Sequence, residues 1–201
     1  MLKYQDIPNH KNALIFELDD VLIPQKDYDL QVYYLFANFI EYLEAFPPAQ
    51  EMLAFMAKRY EINGQWLMFE ETAKTFGLDA KYQENFNLLF TNAKLTLKLL
   101  LYKEALELLQ ELTINRKQIY LLTSGNPQQQ LNKITQTEWH GLDKYLKVYF
   151  ADEFGPKLSL VALEYLIEEN DLNRDEMMII SNHITDEELA KQAKIDFMGI
   201  I

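Results

Sequence analysis

Apolar residues recur at two different spacings along this chain, and the change from one to the other marks its organisation. Residues 13–18, ALIFEL, form a short apolar run that predicts a buried strand, and it ends in Asp19-Asp20. From Tyr28 to Phe46 apolar residues follow helical spacing (Leu30, Tyr33, Tyr34, Ala37, Ile40, Leu43) until Pro47-Pro48 stop the helix. Further helices are predicted over Ala49–Tyr60, with Asn63-Gly64 as a turn behind it, and over Gln65–Phe76, closed by Gly77. A fourth runs from Asp79, its N-cap, to Phe90. From Pro24 to Leu95 the signals are helical throughout. The aromatics of the first of these helices (Tyr28, Tyr33, Tyr34, Phe36, Phe39, Tyr42, Phe46) are expected mostly in a helical core.

Beyond that block the pattern alternates. Tyr102–Leu112 is an amphipathic helix, and QIYLLT (118–123) is an apolar strand running into Ser124-Gly125-Asn126-Pro127. Helices at 128–137, 159–169 and 187–194 then alternate with strands at 146–150, 177–180 and 197–201. Strands separated by helices of this length imply right-handed crossovers. The fold class is therefore α/β, a Rossmann-like parallel sheet with helices on both faces plus an inserted all-helical subdomain. Residues 1–23 and 96–201 are expected to form the α/β core and 24–95 the insert.

Composition and charge narrow the function classes. The net charge is −12 and no basic run interrupts it, so nucleic acid is a poor partner. The same field repels phosphorylated molecules unless a cation or a local Lys screens them. No stretch is apolar over the length that spans a bilayer, and MLKYQDIPNHKN is too polar for a secretory signal. With no Cys there is neither disulfide nor thiolate, which fits a cytoplasmic protein.

In an open parallel sheet, ligands bind beyond the carboxyl ends of the strands. The first strand delivers Glu17 and Asp19 there, and the second Thr123 and Ser124. The third is followed by Asp152 and Lys157, and the fourth by Ser181, Asn182, His183 and Asp186. Carboxylates, hydroxyls, an amide and an ammonium converging on one edge suit a hard cation with oxygen ligands and a phosphate neutralised by Lys. His183 could be a ligand or an acid–base group, although a lone loop His is more often neither.

These segments, taken in order, resemble the four motifs of the haloacid dehalogenase-like (HAD) hydrolases. LIFELDDVLI is similar to the first, an apolar strand followed by Asp-x-Asp. LLTSGN looks like the second, Lys157 in FGPKLSL matches the third, and MMIISNHITDEELAKQA resembles the fourth. The helical block falls between the first two motifs, where the family carries its helical cap. The resemblance implies a phosphatase-type hydrolase acting on a small phosphorylated molecule, with an acidic nucleophile at position 17 and Asp19 as general acid and base. It further implies that Thr123, Ser124 and Lys157 hold phosphoryl oxygens, and that Glu17, Asp19, Asn182 and Asp186 stand where Mg²⁺ is bound.

Two positions depart from the family pattern. Glu17 replaces the nucleophilic Asp, and Ser181-Asn182 replaces Gly-Asp in the fourth motif. One extra methylene shifts a carboxylate by about 1 Å, a displacement that can cost about a hundredfold in rate. An Asn carbonyl can ligate Mg²⁺ but lacks the charge that helps the ion shed water. Two readings stay open: a hydrolase with weak or lost activity, and a catalytically inactive pseudoenzyme that keeps the pocket to bind a ligand or a protein partner.

Overall fold

A computed structural model describes residues 2–155 and 160–200. In chain order the elements are β1 (Ala13–Phe16), α1 (Gln25–Glu44), α2 (Ala49–Asn63), α3 (Met68–Phe76), α4 (Tyr82–Asn92), β2 (Leu99–Leu100), α5 (Lys103–Ile114), β3 (Gln118–Thr123), α6 (Pro127–Gln136), β4 (Thr137–Glu138), β5 (Leu146–Phe150), α7 (Leu160–Glu169), β6 (Met177–Ser181), α8 (Ile184–Ala193) and β7 (Asp196–Gly199). Five strands form one parallel sheet in the order β5-β3-β1-β6-β7. The short parallel pair β2–β4, which sequence periodicity does not reveal, stands apart from it.

The sheet is parallel and apolar because helices cover both faces. Ala13, Ile15, Tyr120, Leu122, Met177 and Ile179 turn to one side and pack on Leu163 and Leu166 of α7 and Leu189 and Ala190 of α8. The intervening residues Leu14, Phe16, Leu121 and Ile180 are equally buried, and α5 packs along β3 with Leu108, Leu109 and Leu112 inward. Strands buried on both faces read as continuous apolar runs instead of alternating ones, as β1 and β6 do.

Two compact units emerge. The α/β unit runs to Pro24, resumes over Leu99–Leu131 and continues from Thr137. The helical unit is Gln25–Lys98 together with Asn132–Gln136. Its centre is aromatic: Tyr33 stacks on Phe86 with ring centroids 6.0 Å apart, and Phe36 meets Phe86 edge-on at 5.0 Å. Of the aromatics expected in a core, Tyr28, Tyr33 and Phe36 are fully buried, whereas Tyr34 and Tyr42 on α1 and Phe46 just beyond it are exposed. Gln65 does not start α3. The chain turns through Gly64, whose φ is +59°, and α3 begins at Met68. Asp79 accepts from Lys81 N in a turn ahead of α4 instead of capping the helix itself. Among the described residues no helix is long and apolar enough to cross a membrane.

Leu163 has no exposed surface in the layer between the sheet and α7. Leu163→Ala is expected to destabilise the protein by about 2–5 kcal/mol, read as a lowered denaturant midpoint. A loss below about 0.5 kcal/mol, the range of ordinary surface changes, would contradict this packing.

Candidate active site

The strand order brings the polar ends together. In the β1–β3 pair Phe16 stands opposite Leu121, and in the β1–β6 pair it stands opposite Ile180. Glu17 therefore leaves the sheet between the ends of β3 and β6. Just beyond it the chain folds back on itself: Leu22 N and Ile23 N both donate to Leu18 O, at 3.0 and 3.1 Å, and Asp20 N donates to Ile23 O at 2.8 Å. Asp20 takes a left-handed φ of +56°, a conformation that Asp tolerates better than most side chains. Val21, Leu22 and Ile23 anchor the loop by burial.

Glu17 is only 7% exposed, and donors surround its carboxylate. Thr123 Oγ1, itself fully buried, donates to Glu17 Oε1 at 2.5 Å, and Leu18 N donates to the same oxygen at 2.8 Å. Ser124 N reaches Oε2 at 3.1 Å and Oε1 at 3.4 Å. Burial raises the Glu17 carboxyl from 4.5 to about 7. The Thr123 and Leu18 hydrogen bonds oppose that rise, and the negative charges of Asp19 and Asp186 add to it.

Asp19 Oδ2 accepts from Gln130 Nε2 at 2.9 Å, and the same amide donates to Ser124 O at 2.7 Å. Gln130 is 3% exposed, and its Oε1 has no hydrogen-bond partner. Its amide orientation is fixed, since Nε2 faces two acceptors. Gly125 makes room for this side chain: its φ is +108°, and a Cβ there would stand 3.2 Å from Gln130 Nε2. Gln130 escaped the sequence reading because Gln128–Gln130 looks like a solvated run. Its only signal is the turn of α6 on which it falls.

At the end of β6, Ser181 Oγ donates to Asp186 Oδ2 at 2.5 Å and accepts from His183 N at 3.1 Å. Asn182 Nδ2 donates to Asp20 O at 2.9 Å, tying this loop to the one after β1. Asp186 lies in the first turn of α8, which begins at Ile184, earlier than periodicity suggests. His183 is exposed and precedes that helix. The structure thus joins Glu17, Thr123 and Ser124 directly, with Asp19 linked to Ser124 through Gln130 and Asp186 within electrostatic reach of Glu17. Lys157 lies outside the described residues.

A sequence model of the haloacid dehalogenase-like hydrolases matches residues 14–200. The chain belongs to that family. No curated protein matches the sequence. Among solved structures, YfnB from Bacillus subtilis, described as a HAD-hydrolase bound to magnesium, is 17% identical with a TM-score of 0.66, over 94% of this chain and 86% of its own. A protein from Thermotoga maritima described as a beta-phosphoglucomutase is 17% identical with a TM-score of 0.62, over 94% and 85%. A hydrolase from Streptococcus pneumoniae is 14% identical with a TM-score of 0.57, over 96% and 94%. At these identities the likeness is one of fold.

HAD hydrolases typically use Mg²⁺, so the donor set of this member can be tested against the ion. Both Glu17 oxygens face N–H or O–H donors, and Asp186 Oδ2 accepts from Ser181. Asn182 turns its amide nitrogen to a main-chain carbonyl. Among the described residues no group of three or more His, Cys, Asp or Glu is placed to hold a metal. As they stand, the Glu17 oxygens and Asp186 Oδ2 are turned to protein donors and do not fit Mg²⁺.

The buried carboxyl also has a consequence for stability. Raised from 4.5 to about 7, it binds its proton more tightly in the folded than in the unfolded chain. Its contribution is complete below pH 4.5 and is lost as pH rises to about 7, an effect on the order of 3 kcal/mol. Relative to Glu17→Gln, the native protein should lose stability across that window, measured by urea unfolding at each pH. Parallel profiles for the two proteins would refute the burial of an ionisable group here.

Proposed function

We propose that this family member is a phosphatase-type phosphohydrolase for a small phosphorylated metabolite, with turnover weak or lost at its own nucleophile position. The observation that carries the reading is the Glu17 carboxylate, buried and bonded by Thr123 Oγ1 and Ser124 N. Asp19 is retained and held by Gln130, which supports a general acid for the leaving group. Thr123 and Ser124 retain the hydroxyl and main-chain donors suited to phosphoryl oxygens, and Lys157 would neutralise them. Attack on phosphorus requires Glu17 to be ionised, aligned and free of these donors. At neutral pH it is partly protonated, because burial lifts its pKa to about 7, and its oxygens are already engaged.

Glu17, Asp19, Asn182 and Asp186 occupy the positions where the family binds Mg²⁺, but their present bonding argues for weak metal binding. A protein without Cys is compatible with the cytoplasm, the compartment we assign to it. The hydrogen-bonded Glu17 also favours the second reading, a catalytically inactive member that retains the pocket for a ligand or a partner.

Phosphate release from generic monoesters with Mg²⁺ separates the two readings. The native protein is expected to turn over barely above background. Glu17→Asp, Asn182→Asp should gain at least about a hundredfold if the scaffold is a weakened hydrolase, the size expected from restoring a carboxylate displaced by about 1 Å. No gain would favour the inactive binding protein. Robust turnover by the native chain would overturn the claim of weak activity.

A further inference from the structure

We propose that Glu17 serves as a built-in substitute for an oxyanion, filling a cradle of hydrogen-bond donors that would otherwise bind inorganic phosphate or the phosphoryl group of a monoester. The proposal rests on the reading of this edge as a former or weakened phosphohydrolase site. It assigns Glu17 a specificity role: the side chain determines whether a tetrahedral oxyanion can enter at all.

Three features of the α/β unit support it. The first is the donor set. Thr123 Oγ1, Leu18 N and Ser124 N all converge on one carboxylate, at 2.5, 2.8 and 3.1 Å. A hydroxyl and two main-chain N–H groups, fixed by the ends of adjacent strands, form a preorganised anion site of the kind that stabilises oxyanions. Both Glu17 oxygens are taken up by it.

The second is space. The cavity beside Glu17, lined by Phe16, Leu122, Ser124, Ala151, Asp186 and Leu189 among others, holds about 20 Å³. That admits one water molecule but not a five-atom oxyanion. From that cavity, among the described residues, phosphate reaches the donors only by replacing the carboxylate.

The third is the cost of moving Glu17 aside. Thr123 is fully buried, and a buried donor left without an acceptor costs about 1–3 kcal/mol. The side chain therefore leaves its donors only in exchange for another acceptor. A phosphate arriving with Glu17 still ionised would add charge to a site that already feels Asp19 and Asp186. Removing the side chain beyond Cβ takes away both obstacles, whereas Gln keeps the volume and an acceptor oxygen while removing the charge.

Binding of inorganic phosphate to the full chain, followed by calorimetry and by ³¹P line broadening, tests the proposal with the native protein and three variants. Glu17→Ala should bind phosphate at least about tenfold more tightly than the native chain, and Glu17→Gln, which still fills the cradle, should gain clearly less than Glu17→Ala. Adding Thr123→Val to Glu17→Ala should abolish the gain. Glu17→Ser replaces Glu17→Ala if circular dichroism finds the latter unfolded. No gain in either shortened variant overturns the proposal, and so does a Glu17→Gln that binds as well as Glu17→Ala, because charge alone would then account for exclusion. Turnover assayed on the same samples is judged separately. Phosphate binding by Glu17→Ala with no gain of turnover in Glu17→Asp, Asn182→Asp would leave the cradle standing and sink the phosphohydrolase reading.

Discussion

A carboxylate buried at the end of a strand must satisfy its oxygens from within the protein, and at Glu17 that requirement organises the surrounding structure. Its partners are the hydroxyl of Thr123 and the main-chain N–H groups of Leu18 and Ser124. All three lie where β1 and β3 leave the sheet. The bonds are favourable, but burial outweighs them and holds the carboxyl near neutrality in pKa. The site therefore carries less negative charge than its three nearby carboxylates suggest.

The sheet makes this arrangement possible. Parallel pairing of β3, β1 and β6 aligns three carboxyl ends at one rim, and the apolar layers on both faces fix the strand positions. The loops then add polar ties across that rim. Gln130 bridges Asp19 and Ser124, and Asn182 bridges to Asp20. Ser181 supplies a hydroxyl to Asp186 where a glycine at this position would supply none. The ties to Asp19 and Asp186 engage carboxylate oxygens that an open metal site would leave available.

Much of the fold could be read from the chain, because β1, β3 and β6 are continuous apolar runs and the insert follows helical spacing. The clustering of Glu17, Asp19, Thr123 and Ser124 was also legible, since each stands at or shortly after the end of an apolar run. The details were not. On α6 the usual pattern is inverted: Gln130 and Lys133 are buried while Leu131 is largely exposed, so periodicity hides the residue that holds Asp19. The first turn of α8 forms around Ser181 and His183 N, a side-chain contact that spacing does not encode. The direction in which the longer Glu17 side chain turns was equally invisible. A methylene count announces a displacement, and only the neighbouring donors determine where the carboxylate goes.

The central claim is that the Glu17 carboxylate itself occupies the donors at the ends of β1 and β3. A high-resolution crystal structure of the native protein grown with orthovanadate tests it directly. The account predicts Glu17 bonded to Thr123 Oγ1 and Ser124 N with no vanadate on those groups. Vanadate bound to Thr123 and Ser124, with the Glu17 side chain rotated away, would contradict it.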